Sequence, residues 1–244
     1  SLERPVFGGE IQIRLPAIRF RDANLPGINN LTVDLRLEGD RLQVRRFTGD
    51  VSGGPFSLGG NVGLSTPANP ELDLRFRTRN TLLLRNDSMV VRADSDIHIG
   101  GPFRQAKVSG KVGIRRSRFF REIEIIPLGL PGNPAPQPAS VASTPSITAA
   151  PFRDWTFDVA IATTRPLIIR SNLAAGRVFA NLRLGGTGLA PTLEGTARME
   201  NLVASLPFSR LEVANGYLYF TADRPFDPIL DIHGTSQMRN FNIH

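Results

Sequence analysis

The feature that most constrains this chain is a period-2 alternation of apolar and polar residues that recurs along most of its length. It shows in Ile11, Ile13 and Leu15, in Leu31, Val33, Leu35 and Leu37, in Leu72, Leu74 and Phe76, and in Phe157, Val159 and Ile161. Side chains at i, i+2 and i+4 fall on one face of a strand, so each segment has one dry and one wet face. No stretch carries a capped 3.6-residue period, and none supplies the ~10–12 helix-competent residues of a βαβ crossover. The fold expected is all-β, a mainly antiparallel meander; doubly wound and TIM-barrel architectures are disfavoured.

Between the apolar runs lie turn signals, as 23 glycines and 19 prolines in 244 residues require. Glu38-Gly39-Asp40 separates two strands, and Asn215-Gly216, which tolerates the positive φ of a type I′ turn, is expected to close a hairpin between Leu211–Ala214 and Tyr217–Thr221. Residues 127–151, rich in Pro, Ala and Ser, break the alternation. The organisation expected is a β-repeat region over 1–126, a flexible loop over 127–151, and a continuation of the same sheet over 152–244.

The chain also repeats. Residues 72–117 laid over 157–202, at a constant offset of 85 and without a gap, pair Asp73 with Asp158, Thr78 with Thr163, Leu82 with Leu167 and Arg85 with Arg170. The same offset pairs Arg92 with Arg177, Gly100 and Gly101 with Gly185 and Gly186, and Gly110 with Gly195. Gly60-Asn61-Val62-Gly63-Leu64 is a weaker echo of Gly110–Ile114, and Leu230-Asp231-Ile232 begins a third copy. Such repetition is expected of a segment of a longer array, in which neighbouring repeats cover the open sheet edges.

Signals of catalysis are nearly absent. The chain has no cysteine, its three histidines, His98, His233 and His244, are far apart, and no metalloprotease, P-loop or nucleophile-elbow motif occurs. Asp73, Asp158 and Asp231 recur once per repeat beside apolar neighbours, the pattern of a solvated face. Coils of parallel β-helix carbohydrate enzymes are shorter than this spacing, and no repeat concentrates acids with Arg and His. Net charge is +7, and of the 29 basic residues only Lys107 and Lys111 are lysines. Most arginines alternate with apolar residues, as in Leu74-Arg75-Phe76-Arg77, so they read as the wet face of the sheet. One Trp and two Tyr give no aromatic platform for nucleic acid. No catalytic residue, metal ligand or cofactor is assigned.

What remains is the apolar stripe. A sheet with a continuous apolar face must hide it under a second layer, close on itself, or curl into a trough that something else fills. The candidate lining residues are Leu31, Val33, Leu35, Leu42, Val44, Leu72, Leu74, Phe76, Ile97, Ile99, Phe157, Val159, Ile161, Leu182 and Leu184. In a fully closed sheet the same residues would serve as packing alone.

Two short patterns resemble a known family. Phe208-Ser209-Arg210-Leu211-Glu212-Val213 with Gly216, Tyr219-Phe220 and Asp227-Pro228-Ile229-Leu230-Asp231-Ile232 is similar to the "G-x-(I/L)-x-F … D-P-x-L-x-I" stretch of the TamB family, related to AsmA-like proteins. Leu184-Gly185-Gly186-Thr187 with Pro191-Thr192-Leu193-Glu194-Gly195 resembles its recurrent "L-x-G-T-…-P-x-L-x-G" unit. The resemblance implies an elongated, curved sheet forming a taco-like hydrophobic groove, in a periplasmic protein anchored in the inner membrane. It implies phospholipid or another acyl-chain lipid as cargo, moved between inner and outer membranes, or alternatively a scaffold for outer-membrane β-barrel assembly through strand augmentation. The resemblance also implies an anchor helix, and terminal strands that meet a TamA-type outer-membrane partner, both expected to lie outside this stretch.

Overall fold

The computed structural model describes residues 8–19, 27–85, 89–120, 145–205 and 209–238. Strand makes up 79 % of them, and among the described residues there is no α-helix to form a second layer. The strands are β1 (Gly8–Ile18), β2 (Ile28–Glu38), β3 (Arg41–Val51), β4 (Gly54–Gly63), β5 (Glu71–Arg85), β6 (Met89–Pro102), β7 (Lys107–Phe119), β8 (Thr156–Thr163), β9 (Leu167–Arg170), β10 (Ala174–Gly186), β11 (Pro191–Ser205), β12 (Ser209–Thr221) and β13 (Arg224–Met238). They form one curved sheet in chain order, with β1 and β13 at its ends and β9 beside β7 and β10.

All neighbours pair antiparallel except at one place. β8 and β9 both run parallel to β7, with Lys107 opposite Thr156 and Ser117 opposite Leu167. The chain therefore leaves β7 at Phe119 and re-enters the sheet beside the start of β7. Of the 127–151 segment, 127–144 lies outside the described residues; 145–151 carries no strand, and Ile147 N–H donates to the Gly188 carbonyl at 2.8 Å. The re-entry point is fixed by three rings. Phe103, Phe152 and Trp155 pack edge to face at 5.0–6.5 Å, and Trp155 Nε1–H donates to the Phe103 carbonyl at 2.7 Å.

The repeat seen in the sequence is a repeat of register. Phe76 faces Ile97 and Ile97 faces Gly110, as Ile161 faces Leu182 and Leu182 faces Gly195. Gly101 and Gly186 both have positive φ, 94° and 73°, as do Gly110 and Gly195, 140° and 124°, with Gly60 at 133° matching the weaker echo. A Cβ on Gly60, Gly110 or Gly195 would fall inside the contact distance of a neighbouring strand's carbonyl oxygen, that of Asp73, Asp96 or Asn181 respectively. The copies differ where β5 runs unbroken but its counterpart splits into β8 and β9: Pro166, which has no N–H to give a ladder, lies between them.

One turn expectation holds and one fails. Gly39-Asp40, with Gly39 at φ 62°, links β2 to β3. Asn215-Gly216 makes no hairpin: both residues sit inside β12, opposite His233 and Ile232 of β13. Local turn preference loses there to packing, because the space a Gly216 side chain would need is covered by Met199 from β11 and Ile232 from β13.

Candidate functional site

Cross-strand register decides which side chains share a face. One row reads Ile13, Val33, Phe47, Leu58, Phe76, Ile97, Gly110, Val159, Leu184 and Leu193, each directly opposite the next across ten strands. A neighbouring row runs Ile11, Leu35, Val44, Gly60, Leu74, Ile99, Val108 and Phe157. Leu42 and Leu72 flank Val62 in a third, and Ile161 and Leu182 follow Val112 in a fourth, while Leu31 stands opposite Leu15. All fifteen positions named from the sequence thus lie on one face.

On that face Leu31, Val33, Val44, Leu72 and Val159 are buried and the other ten named residues are half-buried. In a single layer, such shielding comes from curvature that crowds the side chains together. Leu31, Val33 and Phe56 form one cluster with Phe47 and Phe76, the rings spaced 6.0–6.1 Å, and Val178, Ala197 and Met199 form another with Leu218 and Phe220. On the same face, further along β5 and β6, lie buried Ala93, Thr81 and Thr78, whose hydroxyl is 2.8 Å from that of Ser95.

Phe47 and Phe56 went unrecognised in the sequence for different reasons. β3 carries an irregularity between Val44 and Phe47, so Phe47, out of phase by alternation, returns to the face of Val44. Phe56 simply follows the alternation Phe56, Leu58, Gly60, Val62 and was legible. The positive-φ residues Asn30, Asn80 and Asn201 lie beside register shifts in β2 and β5 and inside β11, where Asn tolerates the left-handed conformation better than β-branched residues.

The opposite face is an ion-pair ladder. Arg75 donates to both Asp96 oxygens at 2.7 Å, and the carboxyl of Asp96 is held below its usual range chiefly by that bond. Arg183 donates to Asp158 at 2.9 Å and lowers its pKa in the same way, with Lys107 adding to the effect. His98 Nε2 lies 2.8 Å from Asp73, at the repeat position equivalent to Arg183 and Asp158, and Asp231 lies 3.3 Å from His233. The recurring aspartates therefore partner arginine, lysine or histidine side chains on the wet face, and among the described residues no group of three metal-ligating side chains comes together. No helix among them is long and apolar enough to cross a membrane.

No curated protein and no solved structure matches the chain. The family comparison does match: residues 40–243 fit the TamB C-terminal domain. With most of its length inside that match, and with the glycine-marked strand repeats now seen in register, the chain belongs to the TamB family.

Proposed function

We propose that the apolar face binds lipid acyl chains and conducts phospholipid along the sheet, across the periplasm between inner and outer membranes. The observation that carries this reading is the apolar row continuous across ten strands, with no second layer over it among the described residues. Nine strand spacings of ~4.8 Å make about 43 Å. A bilayer core of ~30 Å holds two acyl chains end to end, so the row has length for about two or three chains in line. Each methylene taken from water contributes ~0.8 kcal/mol, spread over near-equivalent sites, which favours sliding over capture at one point. Membership of the TamB family supports an envelope role in transport or assembly rather than catalysis.

A second reading rests on the sheet ends. Among the described residues β1 exposes Ile11, Ile13 and Leu15, β13 exposes Ile229, Leu230 and Ile232, and each pairs with a strand on one side only, an arrangement that suits an incoming strand or a neighbouring repeat. Photo-crosslinkers placed at Ile97 and Leu184 on the apolar face, and at Gln12 and Ile229 on the other side of the edge strands β1 and β13, separate the two. Lipid adducts from the face support conduction. Protein adducts from the edges, with no lipid at the face, overturn it in favour of a scaffold for barrel assembly.

A further inference from the structure

Where β5, β7 and the β8–β9 turn approach one another, the wet face holds a recess of about 440 Å³ lined by Asn80, Arg115, Arg116, Thr164 and Arg165. The local sequence puts the arginines there by a register shift. Ala93 pairs with Ile114 but Arg92 pairs with Arg116, so Arg115 is the extra residue of a bulge and two consecutive arginines reach the same side. Ser117, next in sequence, is buried on the apolar face opposite Leu167. The recess is therefore on the far side of the sheet from the acyl-chain face, and an inference about it does not rest on the conduction reading.

Its charge is unbalanced. Asp94 is ion-paired with Arg115 and also accepts the Asn80 N–H at 2.8 Å. Arg92 turns aside to donate to the Asn80 carbonyl at 2.8 Å. Among the described residues, no carboxylate lies within ion-pair distance of Arg116 or Arg165. Arg92 and Arg116 stand directly opposite each other, and like charges so placed oppose strand pairing unless an anion lies between them. Thr164 is held by two bonds from its N–H and hydroxyl to the Ile114 carbonyl, both 2.9 Å, which fixes the turn that carries Arg165.

We propose that this recess is a phosphate-binding site. Two guanidinium forks free of carboxylates, on a fixed turn and a bulged strand, suit the bidentate recognition of phosphate oxygens. The phosphate comes either from a lipid headgroup at a membrane surface or from a small soluble phosphate.

The test is thermal melting of the chain in sodium phosphate against sodium chloride at matched ionic strength. Phosphate should raise Tm by ligand linkage. In the exposed double variant Arg116→Gln/Arg165→Gln the half-saturating phosphate concentration should rise at least about tenfold, because charge-assisted bonds are lost. The control Arg41→Gln/Arg104→Gln removes the same charge elsewhere and should leave the response intact. Co-sedimentation with phosphatidylglycerol/phosphatidylcholine vesicles identifies the source: recess-dependent binding assigns a lipid headgroup, and a phosphate response without vesicle binding assigns a soluble phosphate. The proposal is overturned if the wild-type chain shows no phosphate-specific shift, if the double variant keeps it, or if the control loses it equally.

Discussion

Placing a carboxylate on the apolar face should weaken acyl-chain binding over the strands beside it without unfolding the sheet, provided the site is half-buried. Leu74 is such a site, opposite Gly60 and Ile99 near the middle of β5. An acyl chain of about fifteen methylenes laid over ~15 Å covers about three strand spacings, or about five methylenes per strand. Leu74→Asp would deny dry contact to three or four of them, a loss of about 3 kcal/mol and about 100-fold in Kd. The assay is titration with a fluorescent fatty acid, with the melting temperature as a check on folding. Ala160→Asp, on the wet face beside Lys111 and Arg183, is the matched control and should bind as wild type. Val159 is a poor choice for the same experiment: at 4 % exposure it is packing, and a charge there should unfold the sheet. If folded Leu74→Asp keeps the wild-type stoichiometry with every site within a factor of about three in Kd, the methylene-by-methylene reasoning is refuted.

Three further outcomes follow from the geometry. Gly110→Ala meets both a φ of 140° and the Asp96 carbonyl, so urea unfolding should show a loss of about 3 kcal/mol or more. Gly39→Ala, with φ 62° but open space around it, should cost only about 1–2 kcal/mol in the same measurement. Asp96 and Asp158 have pKa values lowered from 3.8 by their arginine partners. Their contribution is therefore present above that value and lost as pH falls through the depressed ones. Urea midpoints should drop on acidification below about pH 4, and less steeply in Arg75→Gln, because that variant has already lost the Asp96 bond.

Much of the fold was legible because a half-buried sheet writes its faces directly into alternation. The offset that pairs Gly110 with Gly195 also located a backbone approach that only glycine permits. What alternation could not show is where it is reset: Phe47 rejoins the face only through the β3 bulge, a backbone event without a composition of its own. Asn215-Gly216 misled because turn preference is local, whereas Met199 and Ile232, which fill the space above that glycine, come from other strands. The parallel β7–β8 pairing was hidden for a similar reason, since the rings that fix the re-entry point, Phe103 and Trp155, are 52 residues apart. The arginine recess was invisible because Asn80, Arg116 and Arg165 meet only through tertiary register.

The central claim, that acyl chains lie along the apolar face, is tested most directly by methyl NMR of the chain with a nitroxide-labelled fatty acid. Broadening should concentrate at Val33, Ile97, Val159 and Leu184 along the ten-strand row, with Ile229, on the opposite face at the β13 edge, spared. Broadening confined to the β1 and β13 edges, or spread evenly over both faces, would contradict it.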